Sequence, residues 1–189
     1  ESLLFLARTA IVVALVLGLA RPFARVRAAL PITSLGPAST VVVLDDSLSM
    51  RYGRSGASLF DRARDAARDL IGSMGPDDEV GVVLARRPAA RLTRALDADR
   101  NRLRSAVDDA RASVLSTDLH GAVELARQML AGATRANRRI VVLSDLARTA
   151  GGSTGLARER DGADVLAYDV AEGRARPNAA VVSIEAEPA

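Results

Sequence analysis

Three short polar stretches stand where apolar runs meet other patterns. Asp45-Asp46-Ser47-Leu48-Ser49-Met50 follows the run TVVVL, Ser116-Thr117-Asp118 opens an amphipathic stretch, and Ser144-Asp145 closes IVVL. Carboxylates and hydroxyls at such junctions are the material of ligand binding, metal-assisted hydrolysis and phosphoryl transfer. Composition removes several other chemistries. The 189 residues contain no cysteine, which excludes disulfides, thiolate zinc sites, cysteine nucleophiles and iron–sulfur clusters. All 26 basic residues are arginine, so neither a Walker A phosphate grip nor a Schiff base can form.

The polar stretches need a scaffold, and the chain supplies a regular one from residue 40 onward. The runs at 40–44, 80–85, 140–144 and 164–170 are mostly β-branched and do not alternate, as expected of strands buried on both faces of a parallel sheet. Between them Leu59, Phe60, Ala63, Ala67, Leu70, Ile71 and Met74 recur at helical steps, ended by Gly75-Pro76. Leu103, Ala106, Val107 and Ala110 predict a second helix, and Leu119, Val123, Ala126, Met129 and Leu130 a third, stopped by Gly132. Alternation of this kind predicts an α/β fold, a Rossmann-like open and mostly parallel sheet with helices on both faces. Ligands of such sheets bind beyond the carboxyl ends of the strands, where these stretches lie.

With those junctions placed, the sequence resembles the von Willebrand factor A family. That family's metal-ion-dependent adhesion site combines D-x-S-x-S after the first strand, a Thr in a later loop and an Asp after the fourth strand. Asp45, Ser47, Ser49, Thr117 and Asp145 fill these places in order. The resemblance implies a bound divalent cation, Mg²⁺ or else Mn²⁺ or Ca²⁺. Magnesium takes six oxygen ligands and retains several waters. On this reading Ser47, Ser49 and Thr117 ligate directly, while Asp45 and Asp145 hold metal-bound water from behind. With few protein carboxylates on the ion, it keeps positive charge for an acidic residue of a partner protein. The alternative reading makes Ser47 and Thr117 helix caps and Asp45 a turn former.

Enzymatic readings fail on particular residues. A haloacid-dehalogenase phosphatase needs a second acid at position 47, which is serine; a receiver domain needs a late lysine. A serine hydrolase needs G-x-S-x-G and a histidine, but the lone His120 opens a helix and is expected on its surface. No general base stands out. A metal-dependent hydrolase or phosphotransfer enzyme therefore ranks below an interaction domain, as does a domain of this family without metal dependence.

Residues 3–20 are apolar apart from Arg8 and Thr9. A helix of that length is about 27 Å long, close to the hydrocarbon thickness of a bilayer. A transmembrane helix is expected over 1–22, a Pro- and Gly-broken juxtamembrane linker over 23–38, the main domain over 39–176, and a following β domain or a final strand over 177–189. Arg21, Arg25 and Arg27 beside the span favour a cytoplasmic location for the main domain, although that rule compares both flanks. Net charge is +3, with arginines interleaved with acids and aromatic residues at 3%; nucleic-acid binding is not expected.

The segments ARTAIVVALVLGLARPF and VVVLDDSLSM, with VVLSDLART and the tail RPNAAVVSIEAEP, resemble the membrane-anchored aerotolerance-regulator (Bat-type) group of the same family. In VVLSDLART, Leu146 stands where many adhesion-type domains carry glycine. The group resemblance implies a bacterial inner-membrane protein with its domain on the periplasmic side, opposite to the side that the juxtamembrane arginines favour. It also implies a role in envelope stress or complex assembly, and a link to MoxR-type AAA ATPases.

Overall fold

A computed structural model describes residues 36–54, 56–146 and 162–171. All belong to the second of two units into which the chain divides, residues 32–189. The expected span at 1–22 and the expected β segment at 177–189 lie outside the described residues. Among those described, no helix is long and apolar enough to cross a membrane.

The centre of the fold is β1, Ala38–Leu44, every residue of which is buried. Its valines have packing partners on both faces, which is why the run does not alternate. On one side β1 pairs in parallel with β4, Glu79–Leu84, and on the other with β6, Asn137–Ser144. Leu44 lies opposite Leu84 and Leu143, so the three strands end level with one another. That shared end brings residues 45, 85 and 144 to one edge of the sheet.

Two flanking strands complete the order β5-β4-β1-β6-β7. The short β5, Ala90–Arg91, runs antiparallel to β4, an addition that no periodicity in the sequence announces. The expectation of double burial fails at β7, Asp164–Asp169, which among the described residues pairs only with β6 and leaves Leu166 43% exposed. Among the described residues it lies at the edge of the sheet, with Asp164 and Leu166 exposed. A separate two-stranded ribbon, β2 (Gly53–Arg54) and β3 (Ala57–Ser58), follows β1.

Helices cover both faces as expected. On one face α3, Leu119–Ala131, packs Leu119, Ala122, Val123, Ala126, Met129 and Leu130 onto Val41, Val43, Val83, Ile140 and Val142. Gly81 in β4 belongs to this contact, since a Cβ there would lie 2.6 Å from Met129 Cε. On the other face α1, Leu59–Gly72, lies against β1 and β6, with α2, Arg100–Asp109, beside it. A reciprocal capping box starts α1: the Asp61 backbone N–H donates to Ser58 Oγ at 3.1 Å, and the Ser58 backbone N–H donates to Asp61 Oδ2 at 2.9 Å. The helix ends at Gly72, before the expected Gly75-Pro76 stop, and the Ser73 hydroxyl donates to Leu70 O in its last turn. Met74 is buried all the same.

Candidate metal centre

Asp45 is the first residue beyond β1 and has no solvent exposure. Its backbone N–H continues the ladder to Leu143 O, which fixes where its carboxylate sits. Four groups meet that carboxylate. Oδ1 accepts the Ser47 backbone N–H at 3.0 Å, the short-range bond expected of an Asp in a turn. Oδ2 accepts the hydroxyl of Ser144 at 2.6 Å and that of Thr117 at 3.5 Å. Asp145 is the fourth, near enough for its charge to act on Asp45. Burial pushes the Asp45 carboxyl above the ordinary aspartate range; hydrogen bonds from Ser144 and Ser47 oppose the rise, and the Asp145 charge adds to it.

The remaining hydroxyls belong to a single 3-10 turn, Leu48–Arg51, preceded by Ser47. Ser47 does not cap this turn through its side chain; its Oγ lies 3.2 Å from Ser49 Oγ instead. Neighbouring ligands of an octahedral ion with metal–oxygen bonds of about 2.0–2.1 Å stand about 3 Å apart. The two serine oxygens therefore have the spacing of one edge of such an octahedron. Asp118, not Thr117, caps α3, accepting the Gly121 N–H at 3.0 Å. The Thr117 hydroxyl is thereby left to Asp45 and to Ala85 O, 3.3 Å away. Ser47 thus holds the cap position of its turn without a side-chain cap bond, and Thr117 is not a cap.

Backbone bonds hold the loop bearing Thr117 against the other two junctions. Leu48 N–H donates to Leu115 O, Ser113 N–H to Asp46 O, and Arg87 N–H to Ser116 O. Asp118 N–H donates to Ala85 O at the end of β4. Asp45, Ser47, Ser49 and Thr117 are thus joined by direct contacts, and Asp145 adjoins them through Ser144. No cluster of three or more His, Cys, Asp or Glu suited to a metal occurs among the described residues. Any cation at this edge would depend on hydroxyls, as the donor set here provides.

Two participants escape sequence reasoning. Ser144 looks like the last residue of a strand, yet its hydroxyl both donates to Asp45 and accepts the Leu146 N–H at 3.1 Å. Asp46 is as buried as Asp45, and its Oδ2 lies 2.7 Å from Nη2 of Arg86. Burial raises the Asp46 carboxyl above its usual range against the opposing Arg86 guanidinium. The carboxylate makes no hydrogen bond to the five motif residues. Only the doublet Asp45-Asp46 beside Arg86-Arg87 could have hinted at this ion pair. Leu146 has φ +46°, a conformation that favours glycine. His120 is exposed on α3, as expected.

A family model for the von Willebrand factor type A domain matches residues 40–148, more than half of the chain. The chain belongs to that family. Among solved structures, this von Willebrand A domain is similar to BatB from Bacteroides thetaiotaomicron. The TM-score is 0.61 at 20% identity, over 70% of this chain and 65% of that one. An aerotolerance-related membrane protein from Bacteroides fragilis NCTC 9343 gives a TM-score of 0.55 at 20% identity, over 70% of this chain and 66% of that one. This chain therefore spans slightly less than two thirds of each. Proximal thread matrix protein 1 from the mussel byssus, in a structure with a zinc-occupied MIDAS motif, gives a TM-score of 0.52 at 17% identity, over 70% of this chain and 35% of that one. At these identities the likeness is one of fold. Among curated proteins none matches the chain.

Proposed function

We propose that this von Willebrand A domain is a membrane-anchored, divalent-metal-dependent protein-interaction module and not an enzyme. The observation that carries the reading is the convergence on Asp45: one carboxylate meets the Ser47 N–H and the Thr117 hydroxyl, while Ser47 and Ser49 stand 3.2 Å apart. Ser47, Ser49 and Thr117 would hold Mg²⁺, with Mn²⁺ and Ca²⁺ as alternatives, through neutral oxygens. Asp45 and Asp145 would orient its waters. The bound ion supplies a Lewis-acidic position that a partner's carboxylate can occupy.

The chain's own residues keep that position poised. Ser144 anchors Asp45 from within the sheet, and the loop bonds to Leu48, Asp46 and Arg87 hold Thr117 in reach. Among the described residues no general base stands out at this edge, and the lone His120 lies on the surface of α3. The fold likeness to BatB and to the aerotolerance-related membrane protein supports placing the chain in the Bat-type group. The apolar stretch 3–20 would anchor it in the inner membrane with this domain outside the cytoplasm, serving envelope stress or complex assembly beside a MoxR-type ATPase.

Calorimetric titration of the full chain with Mg²⁺, Mn²⁺ and Ca²⁺ tests the centre. Binding that disappears in Asp45→Ala, with the far-UV circular dichroism retained, is the expected result. Absence of binding at millimolar ion would leave a structural domain of the same family. Detergent-dependent recovery of the chain from membranes tests the anchor, and recovery in the soluble fraction without detergent would refute it.

A further inference from the structure

Large apolar side chains are seldom left uncovered in clusters unless a partner covers them. Five are exposed among the described residues, and three of these sit on the two loops that form the candidate metal centre: Leu48 at 56%, Val114 at 67% and Leu115 at 41%. Leu48 lies between Ser47 and Ser49; Val114 and Leu115 precede Thr117. The Leu48 N–H donates to Leu115 O at 3.0 Å, so the two loops are tied together where these side chains emerge. A surface held in this way loses little conformational freedom when something docks on it.

Exposed arginines adjoin these loops. Arg51 is exposed one 3-10 turn after Leu48, and residues three apart in such a turn lie one above the other. Arg87 is exposed too, and its backbone N–H donates to Ser116 O beside Leu115. Asp46, the extra acid of the first junction, is turned inward and neutralised by Arg86. The backbone that carries the apolar side chains is therefore joined to two exposed arginines, and to the cation if the proposed centre is occupied.

We propose that Leu48, Val114 and Leu115 form an apolar ledge continuous with the metal centre, and that the combined site takes an acidic protein segment whose carboxylate is flanked by large aliphatic residues. The proposal rests on the metal-dependent reading above. The carboxylate meets the ion and the exposed arginines, and the flanking side chains cover the ledge. Selectivity among acidic partners then resides in the flanking residues, because a carboxylate alone is common to all of them.

The test uses the full chain in detergent and two fluorescent peptides, Gly-Leu-Asp-Leu-Gly and Gly-Gly-Asp-Gly-Gly, after ion binding has been measured separately by calorimetry. With Mg²⁺ or Mn²⁺ present, the leucine-flanked peptide should bind about tenfold tighter, the scale of covering part of an apolar side chain. The combined variant Leu48→Ser, Val114→Ser, Leu115→Ser should erase that difference while ion binding persists. EDTA should abolish binding of both peptides. If no ion binds, it is the metal reading that fails. If the ion binds but the peptides bind equally, or not at all, the ledge proposal is overturned. Binding of the leucine-flanked peptide that survives EDTA overturns it as well. So does a dimer that the triple variant converts to monomer, since a second copy would then be what covers the ledge.

Discussion

Ser144 donates its hydroxyl to Asp45 Oδ2 at 2.6 Å across the seam between β6 and the central strand β1. The bond joins residues 99 apart in sequence and sets one oxygen of the carboxylate on which the candidate centre depends. It also lowers the cost of keeping a buried carboxylate charged, though not enough to cancel burial, which holds the Asp45 carboxyl above its usual range. The centre thus stores an electrostatic penalty that a bound cation would relieve.

Asp45→Asn should therefore stabilise the metal-free domain at neutral pH. Because the folded protein holds the Asp45 proton more tightly than the unfolded chain does, stability falls as pH rises above the unfolded value near 3.8, and the loss is complete above the raised folded value. Thermal melts in EDTA should show the variant's advantage at neutral pH shrinking as the solution is acidified toward that unfolded value. A variant that melts no higher than the parent at neutral pH contradicts the stored penalty.

Divalent ion should reverse the order. Asp145→Ala should weaken Mg²⁺ or Mn²⁺ binding by about 10- to 100-fold, the scale for carboxylates that orient a metal's waters. Thr117→Ala should lose at least as much, whereas Thr117→Ser, which keeps the oxygen, should bind nearly as the parent does. Calorimetry reads all three. Equal loss in Thr117→Ser and Thr117→Ala would show that the hydroxyl is not a ligand.

Asp46→Ala tests the neighbouring acid. Its carboxylate faces Arg86, whose side chain is 31% exposed and can turn toward water when its partner is lost. A loss of about 1–3 kcal/mol is expected, below the full cost of stranding a buried charge. Ion affinity should stay unchanged. Arg86→Ala should cost as much or more, because it strands the fully buried member, and the double variant should cost less than the two single losses added. Chemical denaturation measures each step, and strict additivity would mean that the pair does not interact.

Ser58→Ala removes the capping box of α1 and should cost about 1 kcal/mol. The Ser58 hydroxyl and N–H hold the Asp61 carboxyl below its ordinary range. Stability from this contact is present above the usual value of 3.8 and is lost as pH falls through the lowered folded value. The parent should lose more stability than the variant over that acid window, as measured by melting temperature. Parallel pH profiles would remove Asp61 from the account.

Much of the architecture is written in local features of the chain. The unalternating valines of β1 and the helical spacing of Leu119 to Leu130 are periodicities, which depend only on near neighbours, so the α/β class is legible from the sequence alone. The motif Asp45-x-Ser47-x-Ser49 is legible for the same reason, being one turn of chain. Thr117 and Asp145 are assigned through the family resemblance; in the structure Asp145 follows β6, whereas Thr117 lies on the loop between α2 and α3.

The contributions of the tertiary structure depend on register and on position within the sheet, which no window of sequence contains. The run at 164–170 looks as apolar as a central strand, but among the described residues β7 pairs only with β6 and meets solvent. Ser144 is a partner of Asp45 because Leu143 lies opposite Leu44, so that the next residue on each strand faces the other across the seam. Arg86 meets Asp46 because β4 and β1 also end level. The exposure of Leu48, Val114 and Leu115 is equally invisible in the sequence, since a leucine's burial is set by what the rest of the chain places over it. Sequence spacing determined which residue types stand at the sheet's edge; three parallel strands ending in register determined which of them touch.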